Sequence, residues 1–408
     1  MNQPAASSRV NPPVTYVENH ATLVTVCAHL ATVERFALDT EFVSERTYVP
    51  QLELIQVATP TELSLIDCRA VSDLRPFLEV LFDPRIEKVV HAGRQDIELF
   101  TALSGRQLTP VFDTQIAAAM AGYGAQLAYA RLVERILGLA LEKTETNTDW
   151  SCRPLTSAQI AYATDDVRSL LPLYDRLRER LLELNRWEWL QDELRRVEAV
   201  ARCGPVDPQQ AFLRVPGRGP LSAKGLAVLR ELAAWREEVA SRRNKPRGGI
   251  LNDEALVEIA RRAPVTVAAL QGLRTVRSRE LGQQADAVVQ RIVRALELPQ
   301  DQWPQPPLHE VAPPPGLVEL MKAVLRTRAD EANVAPNLLA TNADLDALVQ
   351  RHMAGDAASL PILQGWRREI AGEDLLALLE GRTTVEVDPK THRIRLRNGG
   401  RGRTSSGG

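Results

Sequence analysis

Apolar and polar positions alternate along the first part of the chain in a way that predicts a sheet flanked by helices. Apolar runs at 36–42, 52–58 and 63–67 have the length of strands, and the short connection between the last two favours an antiparallel hairpin. Shorter apolar runs at 88–91 and 111–112 are each followed by a segment with helical spacing. Three antiparallel strands followed by a β-α-β-α order are typical of an α/β mixed sheet.

Helical spacing continues through the rest of the chain and is interrupted by segments rich in glycine and proline. A break at 204–208 ends the first domain, and a proline-rich stretch around Trp303 separates two later helical segments. An alternating pattern on both sides of Asp388 predicts a terminal hairpin. The predicted divisions are a first domain at 14–204, a helical domain at 205–298, a semi-rigid linker at 299–315, a second helical domain at 316–398, and disordered ends at 1–13 and 399–408.

The strand predicted at 36–42 carries two carboxylates at alternate positions, Asp39 and Glu41. Because successive side chains of a strand point to opposite faces, both acids should lie on one face and Thr40 on the other. Two like charges side by side are unfavourable unless a cation or a shared proton relieves their repulsion. Mg²⁺ takes such oxygen ligands, so the pair indicates a metal-dependent phosphoryl-transfer site. Taken alone, the pair also fits a strand end with two solvated acids.

Further acids occur where the predicted strands end and on a later helix. Asp96 follows a strand, in the region where sites gather in such sheets. The residues at 156–159 have the spacing of a capping box and predict that a helix begins there. On that helix Tyr162 and Asp166 are four residues apart and therefore share a face, while the neighbouring Asp165 competes for the same role.

Composition is that of an ordinary soluble protein, and the charge is unevenly distributed along the chain. The chain has 408 residues, enough for two or three domains, and is 44% hydrophobic and 25% charged. No apolar run is long enough to cross a bilayer, and the N-terminus lacks the features of a secretory signal. Between 205 and 298 there are 16 Lys and Arg against 10 Asp and Glu, a net charge of +6, so the remainder carries −8 of the total −2. This asymmetry suits a nucleic-acid substrate, although surplus arginines also occur on ordinary solvated helices.

The cysteines are scattered along the chain and lack the spacing of metal ligands. The four are Cys27, Cys68, Cys152 and Cys203, with no Cys-x-x-Cys or Cys/His pattern, which argues against a zinc site. Free thiols are typical of a reducing compartment, so we expect a cytoplasmic protein with no disulfide partner and no membrane partner. The oligomeric state does not follow from the sequence, and a monomer is our expectation.

Three short motifs, taken in order, resemble the three exonuclease motifs of the DEDDy 3′→5′ exonucleases: Asp39-x-Glu41, His91-Ala92-Gly93 followed by Asp96, and Tyr162-x-x-x-Asp166. The segments at 112–114 and 143–155 are similar to the ribonuclease D subgroup in particular. Many relatives carry an asparagine just before the acid of the second motif, whereas this chain has Gln95. The resemblance covers about the first half of the chain and implies a ribonuclease-H-like core.

The resemblance also implies a two-metal mechanism with Mg²⁺ or Mn²⁺ as the cofactor. Asp39, Glu41 and Asp166 would hold the ion that activates water. Asp39 and, directly or through water, Asp96 would hold the second ion near the leaving 3′ oxygen. Tyr162 would orient the attacking water or help to deprotonate it. Two cations about 3.5–4 Å apart can stabilise both the attacking and the leaving oxygen of an in-line displacement.

The helical segment at 205–298 is similar to an HRDC domain, a small bundle that binds nucleic acid or partners. The likeness rests on Trp235-Arg236, a basic loop at 242–247 and a helix start at 253–256. Four side chains of the loop are predicted to contact phosphates, with a solvated charge run as the alternative: Arg242, Arg243, Lys245 and Arg247. The segment at 316–398 resembles a second, divergent HRDC-like domain, chiefly in its position.

Five residues near the motifs are further candidates for contacts with the substrate. By the resemblance, Phe42 packs against the terminal nucleotides, and a core aromatic is the equal alternative. His91 is either a substrate contact or a buried structural histidine. Lys143 or Arg153 is predicted to contact a phosphate, and Trp150 either stacks on a base or packs in the core.

Together these features predict a 3′→5′ exoribonuclease that releases nucleoside 5′-monophosphates from RNA, with tRNA precursors as the family's usual substrate. The predicted fold is an α/β ribonuclease-H-like mixed-sheet domain followed by one or two all-α HRDC-type domains. A DNA-directed 3′→5′ exonuclease is one alternative, because the sequence shows no motif for recognition of the 2′-hydroxyl. A non-catalytic nucleic-acid-binding protein is another, and the complete set of five motif residues argues against it.

Overall fold

A computed structural model of the chain describes residues 12–141, 148–200, 207–275, 284–306, 313–314 and 316–398. The tail at 399–408, most of the N-terminal segment, Lys143 and the boundary at 204–205 fall outside these residues. Within the described part, no helix is both long and apolar enough to cross a membrane. The three cysteines of that part are free thiols, as the sequence predicts.

Six strands form one mixed sheet in the order β1-β4-β3-β2-β5-β6. Their bounds are Val14–Val17 (β1), Arg35–Val43 (β2), Gln51–Ala58 (β3), Leu63–Asp67 (β4), Glu87–Val90 (β5) and Val111–Asp113 (β6). The predicted antiparallel pairing of β2, β3 and β4 is confirmed, and β1–β4, β2–β5 and β5–β6 are parallel pairs. Strand β1 was not predicted, because four residues at the edge of a sheet are too few for an alternation to stand out.

Each face of the sheet packs against its own set of helices. Phe36 and Leu38 of β2 belong to the hydrophobic core on one face, and Ala37 belongs to the core on the other. By the same alternation Asp39 and Glu41 lie on the face of Ala37. The helices of this domain are His20–Leu30 (α1), Arg75–Leu81 (α2), Arg94–Ser104 (α3), Thr114–Met120 (α4), Tyr129–Leu137 (α5), Ser157–Arg168 (α6), Leu170–Glu183 (α7) and Trp187–Val200 (α8). Helix α6 packs on β2 and β3, over the two acids.

The segment that follows residue 207 is a helical bundle with a hydrophobic core of its own. It starts with a 3₁₀ turn at Pro208–Arg214, and its described helices are Ala223–Arg243 (α9), Asp253–Arg262 (α11), Val267–Gln271 (α12) and Ala285–Glu297 (α13), with the one-turn Arg247–Ile250 (α10) between the first two. Helix α9 is central and contacts the 3₁₀ turn, α11 and α13. The start of the predicted linker packs on this bundle, since Arg230 Nη1 donates to the Gln302 carbonyl at 3.1 Å.

The last helical segment shares one hydrophobic core with the first domain, which the sequence did not reveal. Arg367 forms a buried ion pair with Glu193 of α8 (Nη2–Oε2, 2.6 Å), and Trp366 stacks on Trp189 with ring centroids 5.3 Å apart. The elements of this segment are Leu317–Ala332 (α14), Pro336–Leu339 (α15), Asn342–Met353 (α16), Gly365–Arg367 (α17) and Glu373–Leu379 (α18), then the predicted hairpin of Thr383–Val387 (β7) and Ile394–Asn398 (β8).

The two helical segments have one corner in common. Each long helix ends at an asparagine in the left-handed conformation, Asn244 after α9 (φ 47°) and Asn333 after α14 (φ 48°). In both, a one-turn helix begins three residues later and the next helix is capped eight residues later. Both corners contact the first domain: Asn244 Oδ1 accepts from the Tyr48 N–H at 3.2 Å, and the Asn333 carbonyl accepts from Arg186 at 3.1 Å.

Candidate active site

Three carboxylates meet on one face of the sheet, beside β2. Asp39, Glu41 and Asp166 each place an oxygen within 4.8 Å of the other two. The two strand residues share a face, as alternation predicts, and a bulge between Glu41 and Phe42 shifts the pairing with β3 directly after them. Oxygen ligands grouped in this way suit a hard cation, whereas carboxylates alone repel one another.

Helix α6 supplies the third carboxylate, and its start lies where the sequence predicts. The capping box at 156–159 is formed in both directions. One turn further on, the Tyr162 phenol hydrogen-bonds the Asp166 carboxylate and is close enough to interact with the acids of β2. Asp165 instead pairs with Arg168 at 3.5 Å. Of the two neighbouring acids, the geometry brings Asp166 to the cluster.

Asp96 belongs to a helix that packs on the opposite face, and Thr40 links it to the cluster. The Thr40 hydroxyl, between the two acids of β2, donates to the Asp96 carboxylate. Asp96 lies outside the group formed by the other three acids, yet its charge contributes to raising the pKa of Asp39 and of Glu41. Strand alternation predicts Thr40 on the far face, and the sequence alone indicates no role for it. The available sequence signal for such a role was its position, a hydroxyl residue between two motif acids.

The turn that leads into α3 is held by Asp113. This residue caps α4 by accepting from a backbone N–H of that helix at 2.8 Å. It also accepts from the N–H groups of Ala92 at 3.1 Å and Gly93 at 3.0 Å. Gly93 has no room for a side chain, because a Cβ there would lie 2.5 Å from Val90 Cγ2. These contacts fix the first turn of α3 and therefore the position of Asp96.

Burial and mutual repulsion raise the pKa of the four carboxyls. The pKa rises to about 8 for Glu41, to about 7 for Asp166 and to about 6 for Asp96, and that of Asp39 lies well above its usual value. Burial is the largest cause in each case, and neighbouring acids add to it. The opposing contributions come from hydrogen bonds and not from a basic side chain. Among the described residues the cluster therefore has no countercharge of its own, and its oxygen donors fit divalent cations.

The predicted substrate contacts near the motifs have different surroundings. Phe42 is partly exposed and belongs to none of the hydrophobic cores of the described residues. Both ring nitrogens of His91 have partners, the Thr114 hydroxyl at 3.0 Å and a backbone carbonyl at 3.1 Å. Trp150 is buried, with its ring 6.0 Å from that of Tyr162. His91 and Trp150 are thus built into the fold, whereas Phe42 has surface left for a ligand.

The two predicted phosphate contacts ahead of α6 also differ. Lys143 belongs to the part of the chain that the structure does not describe. Arg153 pairs with Asp67, Nε to Oδ2 at 2.6 Å, and donates to the carbonyl groups of Trp150 and Glu53. A phosphate would have to displace these contacts, so the role predicted for Arg153 stays a prediction without support from the geometry.

The basic loop of the helical bundle contains both exposed and engaged side chains. Arg242, Arg243 and Lys245 are exposed and, within the described part, form no ion pair. Arg247 pairs with Glu237 at 2.5 Å, and its guanidinium lies 4.6 Å from the centre of the Tyr48 ring. Tyr48, on the loop after β2, also donates to Glu237 at 2.7 Å. This contact between the loop after β2 and the bundle was not predicted. Its sequence signal was a single aromatic residue in an otherwise polar loop.

Comparison with known proteins gives the same division of the chain. A family model for a 3′-5′ exonuclease matches residues 14–182, and a model for the HRDC domain matches residues 225–292. A ribonuclease D of Gluconacetobacter diazotrophicus is 41% identical over 356 residues, which are 86% of this chain and 89% of that protein. A ribonuclease D of Pseudomonas paraeruginosa is 38% identical over 90% of this chain and 98% of that protein.

Among solved structures, that of Escherichia coli RNase D, described as an exoribonuclease involved in structured RNA processing, is similar over nearly its whole length. The TM-score is 0.81 at 30% identity, with 90% of this chain and 99% of that chain covered. The predicted fold, a mixed-sheet exonuclease domain followed by a helical HRDC domain, is confirmed.

Proposed function

The chain belongs to the ribonuclease D family and is a 3′→5′ exoribonuclease, and on that premise we propose that it trims the 3′ ends of tRNA precursors with the help of two divalent cations. The family's usual substrate and the structured RNA handled by the Escherichia coli neighbour support this choice. The same proposal places the protein in the cytoplasm, acting as a monomer.

The observation that carries the proposal is a cluster of largely enclosed acids without a countercharge among the described residues. Asp39, Glu41 and Asp166 have oxygens within 4.8 Å of one another, and the hydroxyl of Thr40, on the same strand, donates to the Asp96 carboxylate. Such a group is unfavourable in a protein unless positive charge from outside occupies it. Mg²⁺ and Mn²⁺ suit carboxylate oxygens, and RNA phosphates can complete their coordination.

Each acid has a separate part in this proposal. Asp39 would contact both cations, Glu41 and Asp166 one of them, and Asp96 the other. When bound, the pair of cations supplies Lewis acidity for activating water and for stabilising the leaving 3′ oxygen. The hydrogen bond from Thr40 would fix the Asp96 carboxylate relative to β2, which limits the reorganisation needed when a cation binds.

Tyr162 would orient the attacking water beside Asp166. The phenol hydrogen-bonds this carboxylate, and burial raises the pKa of Tyr162 well above its usual value. The phenol is therefore a neutral hydrogen-bond donor at physiological pH, which suits an orienting group better than a base. Tyr162→Phe should accordingly reduce cleavage without removing any carboxylate of the cluster.

RNA would reach the cluster across the helical bundle. Three exposed cations of the basic loop, Arg242, Arg243 and Lys245, follow α9, and the loop after β2 contacts the same end of the bundle through Tyr48. Phosphate contacts of exposed basic side chains give affinity without sequence selection. Phe42 offers an apolar surface for the terminal bases. We further assign 316–398 as a second HRDC-like domain, on the repeated corner at Asn333.

The proposal is tested with a tRNA precursor labelled at either end. We expect that 5′-labelled RNA shortens one nucleotide at a time from the 3′ end, while 3′-labelled RNA releases a labelled nucleoside 5′-monophosphate at once. EDTA should stop both reactions, and Mg²⁺ or Mn²⁺ should restore them. Cleavage that persists in EDTA would contradict the proposal.

A matched DNA oligonucleotide in the same assay separates RNA from DNA specificity. We expect faster digestion of the RNA under equal conditions. Equal or faster digestion of the DNA would assign the site to deoxynucleic acid instead, since both enzymes would use the same acids.

A further inference from the structure

A buried glutamine lies beside the acidic cluster. Gln56 of β3 is 0% exposed, and neither its amide nitrogen nor its amide oxygen has a hydrogen-bond partner among the described residues. A buried polar group left unpaired costs about 1–3 kcal/mol, so each such group in a native protein calls for an explanation. Nothing in the roles of the five motif residues accounts for this side chain.

The register of the sheet places Gln56 directly opposite Asp39. Residues opposite each other in an antiparallel pair share a face, with Cβ atoms about 4.5–5.5 Å apart. Leu54 and Ala58, the alternate neighbours of Gln56 on β3, belong to the core that includes Ala163 of α6. The amide therefore lies on the same face of the sheet as the cluster and under the helix that carries Asp166.

We propose that Gln56 is a positioning residue for the cation site and holds a buried water between its amide and the Asp39 carboxylate. The inference rests on the proposed two-cation function. A buried water makes about three hydrogen bonds, and the amide N–H, the amide oxygen and the carboxylate can supply them. The water would fix the orientation of Asp39, the acid that both cations share. Outer contacts of this kind typically change metal affinity about 10–100-fold.

Gln56→Met separates this role from a structural one, because methionine keeps the length of the side chain and removes both polar atoms. In EDTA we expect an unfolding temperature close to that of the wild type, because the amide's proposed partner is a water that leaves together with the amide. In calorimetric titrations with Mn²⁺ we expect about 10–100-fold weaker binding. Gln56→Leu should behave in the same way and guards against a packing defect specific to methionine.

Thr101→Val is the matched control. The Thr101 hydroxyl on α3 is likewise buried and has no partner in the described part of the chain, and its neighbours Ile97 and Phe100 belong to the core on the other face of the sheet. We expect this variant to be at least as stable as the wild type in EDTA and to bind Mn²⁺ with unchanged affinity.

Two results would overturn the inference while leaving the proposed function intact. One is an Mn²⁺ affinity of Gln56→Met and Gln56→Leu equal to that of the wild type. The other is a clearly lower unfolding temperature of both variants in EDTA, which would mean that the amide supports the fold itself and does not act chiefly on the cation site. If the wild-type protein itself binds no Mn²⁺, the proposed two-cation function fails as well, so the two failures are distinguishable.

Discussion

Carboxylates at two places on the same face of one sheet have opposite surroundings. The uncompensated group is Asp39, Glu41 and Asp166, which have no basic partner among the described residues, and the compensated acid is Asp67. Glu41, Leu54 and Asp67 are successive register partners, so the two acids lie about 10 Å apart across three strands. Asp67 accepts from Arg153 (2.6 and 2.9 Å) and from the Tyr16 phenol (2.7 Å). Burial alone would raise the pKa of Asp67, but these hydrogen bonds lower it to about 2. The pKa of Glu41 instead rises to about 8.

This difference separates a structural carboxylate from the candidate catalytic ones. Asp67 is paired with an arginine of the protein, whereas the cluster of Asp39, Glu41 and Asp166 is not paired with a basic side chain among the described residues. Arg153 comes from the segment just ahead of α6 and donates two hydrogen bonds to the Asp67 carboxylate. Nothing comparable reaches Asp39, Glu41 or Asp166 among the described residues. An acid cluster left in this state has a strong electrostatic demand for positive charge from solution. That demand is what we assign to the divalent cations.

The largest effect should come from removing one acid of the uncompensated group. Asp166→Asn is expected to lower the rate of RNA cleavage by about 10³-fold or more, because a ligand is lost where the cations stabilise the transition state. Single-turnover assays on end-labelled RNA measure this. The matched control is Asp165→Asn, one residue away on α6, which should retain nearly full activity. Equal losses in the two variants would mean that the acids are not distinguished by their positions.

Removing the partner of the compensated acid, Asp67, should lower the stability of the protein and leave the chemistry of cleavage unchanged. Arg153→Met leaves the buried Asp67 without its cation and is expected to cost about 3 kcal/mol of unfolding free energy. The double variant Arg153→Met/Asp67→Asn should cost less, since no unpaired charge is left. Urea unfolding in the presence of EDTA measures both. A cost below about 1 kcal/mol for the single variant would place this pair among ordinary surface ion pairs.

The two groups should also give stability opposite dependences on pH. In the cluster the folded-state pKa values exceed the unfolded value of about 4, so the metal-free protein loses stability as the pH rises from about 5 to 8. Asp67 has a lowered pKa, so its contribution is present above about pH 4 and is lost as the pH falls toward 2.

Unfolding of the metal-free protein at pH 5 and pH 8 checks this difference. Glu41→Gln should reduce the loss of unfolding free energy between the two pH values by about 1–2 kcal/mol, and Asp67→Asn should not change it. Added Mg²⁺ should restore stability at pH 8. A wild-type protein that is more stable at pH 8 than at pH 5 in EDTA would contradict the electrostatics described for the cluster.

A smaller effect, on RNA binding, is expected from the exposed basic side chains that form no ion pair within the described residues. Changing Arg242, Arg243 and Lys245 to Ala should weaken RNA binding about tenfold and reduce the slope of log affinity against log salt by about 2. A control that removes equal charge elsewhere is the triple alanine variant of Arg176, Arg180 and Arg195, each of which is paired with an acid on its own helix. Equal losses of RNA affinity in the two triple variants would mean that the loop contributes only through the net charge of the protein.

Local periodicity was sufficient to predict the elements that carry the site. Alternation along β2 put Asp39 and Glu41 on one face, and the capping box at 156–159 set the phase of α6, so that Tyr162 and Asp166 share a side. Both inferences use residues at most ten positions apart. The meeting of β2 with α6 depends on the sheet order, and the prediction took it from a family resemblance.

Contacts between distant segments could not be predicted from the local pattern of apolar and polar residues. Thr40 with Asp96, and Arg153 with Asp67, join residues 56 and 86 positions apart, and nothing in their local sequence marks them as partners. Arg153 in particular was predicted to contact a phosphate because its partner Asp67 could not be identified from the sequence. The shared core of the last helical segment was missed for the same reason, since its apolar positions resemble those of an independent bundle.

The most direct test of the account is the number of Mn²⁺ ions bound per chain at pH 8, measured by calorimetric titration of the wild type, Asp39→Asn and Asp67→Asn. We expect two ions for the wild type and for Asp67→Asn, because Asp67 already has an internal cation, and a loss of tight binding for Asp39→Asn. Tight binding retained in Asp39→Asn, or lost in Asp67→Asn, would contradict the assignment of the cations to the uncompensated acids.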